Sequence, residues 1–161
     1  MQWLAQREHS RAELQRKLLP HARALVAQAQ AGAATDAVDA PPPGEVMARV
    51  TELLDWLEAN RYLSQQRFAE SRIHARAPRH GNLRIRQELA QHGIALDADA
   101  AQALQASEFD RAREVWSRKF QAPAADAAAR TRQARFLSSR GFSPETVRRV
   151  LRAEGSPVDE D

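Results

Sequence analysis

Two segments at opposite ends of the chain carry equivalent residues in the same order at one constant offset, and this duplication limits the fold more than any other feature. Leu4, Arg7, Ser10, Leu14, Arg16 and Leu18 are matched by Leu137, Arg140, Ser143, Val147, Arg149 and Leu151, each 133 positions later. Within each copy the apolar residues recur at intervals of three and four, the spacing of one helix face. A weaker middle copy runs from Gly81 to Leu89, with Ile85 and Leu89 in the places of Leu14 and Leu18. The fold expected is all-α, built from tandem repeats of three-helix units.

In each copy one helix ends at a turn residue (Ser10, Gly81 or Ser143) and a second amphipathic helix begins there. Ser143-Pro144 has the form of an N-cap followed by proline at the first helical position. A third helix is clearest in the first unit, from about Glu45 to Asn60, where Val46, Val50, Leu53, Leu54 and Leu57 form an apolar stripe and Asn60 serves as terminator. In the middle unit its equivalent is placed at about Ala100 to Phe109, and the last unit is expected to stop after two helices. The divisions expected are 1–62, 63–121 and 122–155, followed by an acidic tail at 156–161. Two segments interrupt the pattern. Residues 32–44 close with Pro41-Pro42-Pro43-Gly44 and read as a mobile loop, and residues 121–128 are expected to join the second and third units flexibly.

Alanine, leucine, glutamine and arginine dominate, whereas glycine and the aromatics are scarce, which favours helix over strand. The formal charge of +3 conceals an asymmetry. Residues 1–60 hold 6 Lys+Arg against 8 Asp+Glu, whereas residues 61–152 hold 18 against 9. Lys17 and Lys119 are the only lysines, so the basic surface is almost all guanidinium, a group that binds phosphate and carboxylate bidentately and stacks on bases. A nucleic acid or an acidic protein surface is the implied partner. The absence of cysteine excludes disulfides, thiolate nucleophiles and cysteine-based zinc sites. With no signal-peptide core and no membrane-length apolar run, a cytoplasmic protein is expected.

Signatures of catalysis are missing: no phosphate-binding glycine loop, no Gly-x-Ser-x-Gly elbow and no His-Glu-x-x-His pair. His9, His21, His74, His80 and His92 lack i,i+4 spacing and read as surface residues, so neither metal nor cofactor is expected. Trp3, Trp56 and Trp116, with Phe68, Phe109, Phe120, Phe136 and Phe142, sit among apolar residues at helical spacing and are read as core. The arginines form three sets of candidate contacts. Arg148, Arg149 and Arg152 fall on one side of the last helix opposite Val147, Val150 and Leu151, with Glu145 as a nearby neutraliser. Arg130, Arg132, Arg135 and Arg140 surround the Phe136/Leu137 pair, and Arg72, Arg76, Arg79, Arg84 and Arg86 gather at the turn of the middle unit. A helix-turn-helix reader of the major groove is an alternative, but the last helix has no asparagine or glutamine among its arginines to read adenine.

Four stretches carry a family resemblance. Leu4-Ala-Gln-Arg-Glu-His-Ser-Arg-Ala-Glu-Leu-Gln-Arg-Lys-Leu18 is similar to the opening of RecX-family regulatory proteins, and Leu63-Ser-Gln-Gln-Arg-Phe-Ala69 resembles the family's Asp-Asp-x-Arg-Phe/Tyr-Ala segment. Ile85-Arg-Gln-Glu-Leu89 and Arg135-Phe-Leu-Ser-Ser-Arg-Gly-Phe-Ser143 resemble its middle and final motifs. The likeness runs from about residue 3 to 152. It departs at Gln65, where the family often has an acid, and at an insertion over about 20–44, where the family makes a shorter turn. The resemblance implies tandem three-helix units forming an elongated, curved array that lies in the groove of the RecA filament, contacts RecA with single- and double-stranded DNA, and inhibits RecA's ATPase, strand-exchange and co-protease activities. A monomer without catalytic residues is expected. Two other classes compete with it: a basic helical DNA-binding protein acting without RecA, and an adaptor that docks on RNA polymerase or a scaffold through apolar helix faces.

Overall fold

The computed structural model describes residues 2–32 and 42–155, which form nine α-helices and no strand. The all-α expectation holds over these residues. The chain divides into two compact units, Met1–Phe68 and Ala69–Asp161. The tail at 156–161 and residues 33–41 of the expected mobile loop lie outside the described residues.

The first unit contains α1 (Gln2–Gln6), α2 (Arg11–Gly32), α3 (Pro43–Ala59) and the start of α4 (Gln65–Arg76). Leu14, Val50, Leu54, Leu57 and Leu63 are buried together, with Leu4, Leu18, Leu19 and Ala22 packed against them. Ser10 Oγ accepts from the Glu13 N–H at 3.1 Å and so caps α2. Arg11 clasps α3, donating from Nη1 to Glu58 Oε2 at 2.7 Å and from Nη2 to Asp55 Oδ1 at 2.5 Å. α3 opens with Pro43 at its first position and ends at Asn60, whose Nδ2 donates to the Trp56 carbonyl at 2.8 Å.

Three expectations for this unit are corrected. The insertion at 20–44 is not a loop throughout, because α2 continues to Gly32 with Pro20 inside it and α3 already begins at Pro43. Pro20 removes one backbone donor, but the Ala-, Leu- and Gln-rich residues after it are strong helix formers. Trp56 and Leu53 are not core: they are 50% and 44% exposed. The buried stripe is Val46, Val50, Leu54 and Leu57, and Trp56 lies about 200° around the helix from Leu54, where it stacks on Tyr62 with centroids 5.6 Å apart. His9 is not a surface residue but 2% exposed, with Nδ1 3.3 Å from Glu13 Oε1. The side chain of Trp3 lies outside the described residues.

The second unit contains most of α4, then α5 (Asn82–Gln91), α6 (Ala98–Ala106), α7 (Glu108–Ser117), α8 (Ala127–Ser139) and α9 (Pro144–Ala153). Ile85 and Leu89 of α5 are both buried, as the middle copy requires. α7, α8 and α9 enclose one core of Ala112, Val115, Trp116, Leu137, Phe142, Val147, Val150 and Leu151. Phe109, Phe120 and Phe136 are half-buried against it. Trp116 is fixed there by its Nε1–H, which donates to buried Gln133 Oε1 at 3.0 Å. Side-chain caps start three of the helices: Asp97 accepts from Ala100 N at 2.7 Å, Asp126 from Ala129 N at 2.6 Å and Ser143 from Thr146 N at 3.2 Å. Ser10 and Ser143, paired by the duplication, thus cap their helices in the same way.

The segment expected as one helix over 100–109 is instead two, parted at Ser107. α6 buries Leu104, while α7 turns Ala112, Val115 and Trp116 into the core of α8 and α9. The final bundle therefore has three helices, not two. Residues 121–128, expected to join two units flexibly, instead connect α7 to α8 within this bundle, and the last two of them already belong to α8.

Candidate functional site

Part of the arginine set of the second unit lies around a joint between two helix turns. Gly81, which opens α5, donates its N–H to the Arg140 carbonyl at 2.9 Å, and Leu83 N–H donates to the Gly141 carbonyl at 3.0 Å. Backbones come this close only because both turns carry glycine. A Cβ on Gly81 would overlap Phe142 N and the Gly141 carbonyl, and one on Gly141, whose φ is +81°, would lie 2.6 Å from Arg84 Cβ.

Glu108, 1% exposed, closes the same joint from α7. Its Oε1 accepts from Asn82 N at 2.8 Å, and its Oε2 accepts from Ser143 Oγ at 2.8 Å and Thr146 Oγ1 at 2.9 Å. One carboxylate therefore serves the N-termini of both α5 and α9, where the helix dipoles favour a negative charge. One turn on, the Arg111 guanidinium donates to the carbonyls of His80 at 2.8 Å and Leu104 at 3.0 Å and to Asn82 Oδ1 at 2.5 Å. Burial lowers the pKa of Arg111, and the charge of Glu108 opposes that shift.

Around this joint the structure brings together part of the arginine set. Arg84, Arg76 and Arg140 all act on His80, whose pKa is lowered first by burial and then by these cations, against the raising charge of Glu88. Arg76 Nε donates to Glu88 Oε2 at 2.8 Å. Arg140 lies over the Phe136 ring at 4.6 Å and donates from Nη1 to the Arg79 carbonyl at 3.4 Å. Arg86 is not part of this group, because it sits about 200° around α5 from Arg84, on the other flank of buried Ile85. Arg72 is half-buried on α4. On α8, Arg132 and Arg135 are about 60° apart while Arg130 is turned well away from Arg135. On α9, Arg148 and Arg152 share a face, and Arg149 packs over the Phe109 ring at 4.6 Å. Arg84, Arg86, Arg130, Arg132, Arg135 and Arg148 are exposed and have no carboxylate partner among the described residues.

Glu108, Arg111, Arg118 and Lys119 belong to this region without any local signal in the sequence. Glu108 and Arg111 look like the polar face of an amphipathic helix, and nothing local shows that they are covered. Arg118 and Lys119 follow the end of α7 and meet Arg79 and Arg140 only through the fold, around a cleft whose floor is Pro78, Val115 and Phe136. Gln65, at the departure from the family motif, keeps Oε1 buried without a hydrogen-bond partner. Among the described residues no group of three His, Asp or Glu side chains is placed to hold a metal ion, and no helix is long and apolar enough to cross a membrane.

This chain is similar to known proteins over almost all its length. A family profile described as the second three-helix domain of RecX matches residues 64–104, and one described as the third three-helix domain matches 106–151. The second of these spans covers α7, α8 and α9, the three helices that share one core. "Regulatory protein RecX" of Leptothrix cholodnii is 45% identical over 163 residues, covering 100% of this chain and 90% of the relative. That of Ralstonia nicotianae is 43% identical over 160 residues, covering 98% and 87%. The protein of the same name from Neisseria meningitidis is 34% identical over 155 residues, covering 94% and 86%.

Proposed function

The chain belongs to the RecX family of regulatory proteins, and from that premise we propose that it is a non-catalytic regulator of the recombinase RecA that lies in the groove of the RecA–DNA filament and inhibits its ATPase, strand-exchange and co-protease activities. The two compact units together hold three tandem three-helix repeats, the first of them formed by α1, α2 and α3 with the insertion running from the second half of α2 to the start of α3. The protein works in the cytoplasm as a monomer, bridging successive RecA protomers and the DNA between them through the candidate arginines of the second unit.

The observation that carries this reading is the uncompensated charge of that unit. Arg84, Arg86, Arg130, Arg132, Arg135 and Arg148 stand exposed without carboxylates among the described residues, on helices whose turns are locked together by Gly81, Gly141 and Glu108. Exposed guanidinium groups spread over three helices suit a repeating polyanion better than a single small ligand. If six of them neutralise DNA phosphates, log affinity falls with log salt at a slope of about −5.

The test is the single-strand-DNA-dependent ATPase of the cognate RecA, titrated with this protein. Strong inhibition well below one molecule per RecA protomer is the expected result, and it would favour a block to filament growth. An unchanged ATPase at saturation would remove RecA as the target and leave a basic helical protein that binds DNA by itself.

A further inference from the structure

We propose that the cleft between the Arg79 turn, the end of α7 and the α8 ring of Phe136 is a binding site for one nucleotide of a single-stranded nucleic acid. Its volume is about 270 Å³ and its lining is Pro78, Arg79, Val115, Arg118, Lys119, Phe136 and Arg140. Four of these are cations and none is a carboxylate. Arg118 is paired with Glu114 from just outside the lining, whereas Arg79 and Lys119 have no carboxylate among the described residues. The cleft is thus concave and positive, and small for a drug-sized ligand.

Its floor separates a nucleotide from a bare anion. Phe136 is held edge-on to Phe120, with centroids 5.3 Å apart at 87°, and the Arg140 guanidinium lies over the Phe136 ring at 4.6 Å. Arg140 also donates to the Arg79 carbonyl at 3.4 Å, so two residues of the lining are joined. A planar cation backed by an aromatic ring is a stacking platform for a base, and Arg79, Arg118 and Lys119 of the same lining supply cations for its phosphates. A duplex keeps its bases paired and offers only backbone here. Carboxylates of a partner protein would use the cations but not the platform. The inference rests on the reading that the chain meets DNA, and it adds Arg118 and Lys119 to the contacts.

Binding of a fluorescein-labelled oligothymidylate to the full chain, followed by anisotropy across a salt series, tests it. Arg118→Gln with Lys119→Gln is expected to weaken binding at least tenfold and to flatten the salt slope by about 1.4, two single-strand phosphates' worth. Arg140→Lys keeps the charge and removes the plane, so it should weaken binding several-fold at an unchanged slope. The matching duplex should bind less tightly and respond little to Arg140→Lys. Unchanged single-strand binding in both variants overturns the site, as does a duplex that binds equally and responds equally. Loss of RecA inhibition with intact DNA binding also overturns it, assigning the cations to a protein surface. The RecA assay on the same samples separates this outcome from the wider reading. Inhibition without any single-strand binding sinks only the cleft, whereas cleft-dependent binding without inhibition sinks only the RecA target.

Discussion

Glu108 accepts a hydrogen bond from the backbone N–H of Asn82 at 2.8 Å, so a residue of α7 caps α5, 26 positions earlier in the chain. The same carboxylate holds the Ser143 and Thr146 hydroxyls at the start of α9. Glu108→Ala would leave the buried Asn82 N–H and one of the two hydroxyls, which also bond each other at 2.9 Å, without an acceptor, at a cost of about 2–4 kcal/mol. Glu108→Gln keeps an acceptor on Asn82 and should cost less. Thermal unfolding followed by circular dichroism checks this, and equal melting points for wild type and Glu108→Ala would contradict it.

Gly141 combines a φ of +81° with the approach of Arg84. Gly141→Ala therefore meets both left-handed strain and a clash, together about 2–4 kcal/mol. At Gly93, also at positive φ (+72°), a Cβ would meet nothing within 4 Å, so Gly93→Ala carries the strain alone. Urea unfolding of the two variants should rank Gly141→Ala as clearly the more damaging.

The local signals in the sequence were faithful and the tertiary ones were silent. Ser10, Ser143 and Asn60 mark helix ends because capping is decided within a few residues, and Ile85, Leu89, Val147 and Leu151 are buried because a period of three and four marks one face. Periodicity says which face is apolar but not which helix covers it. The expected division at 121 therefore assigns α7 to the middle unit, whereas its Val115 and Trp116 pack against α8 and α9. Trp56 has apolar neighbours at helical spacing, yet it lies about 200° around α3 from buried Leu54 and stays half exposed. In the same way the arginines were found by counting, whereas Arg118 and Lys119 meet Arg79 and Arg140 only after folding.

Acid should loosen the first unit through Glu13. Burial pushes its carboxyl up, but the hydrogen bond from Arg7, with the charges of His9 and Arg7, outweighs this and lowers its pKa from 4.5 to about 2. A carboxyl with a depressed folded pKa contributes stability that is complete above the unfolded value and is lost as pH falls through the folded one. Stability should thus decline between about pH 4.5 and 2, and Arg7→Gln should shrink that decline. Urea midpoints at pH 5 and pH 3 give the comparison, and an equal loss in both proteins would exclude the Arg7 contact as its source.

His80 reports on the arginine site from inside it. Its Nδ1 is buried without a hydrogen-bond partner, and burial, then Arg84, Arg76 and Arg140, lower its pKa from the ordinary 6.5, against Glu88. A histidine with a depressed folded pKa binds a proton less readily than the unfolded chain does. Acidification through about 6.5 therefore costs the second unit stability that is present at higher pH. A polyanion that neutralises Arg84 and Arg140 must relieve this repulsion and raise the His80 pKa, and Arg84→Gln should raise it in the free chain. Titration of the ring nitrogens by NMR, with and without an oligothymidylate, measures both shifts. If the His80 curve stays in place while DNA is demonstrably bound, the DNA is not resting on Arg84 and Arg140, and the contact lies instead on the arginines of α8 or α9.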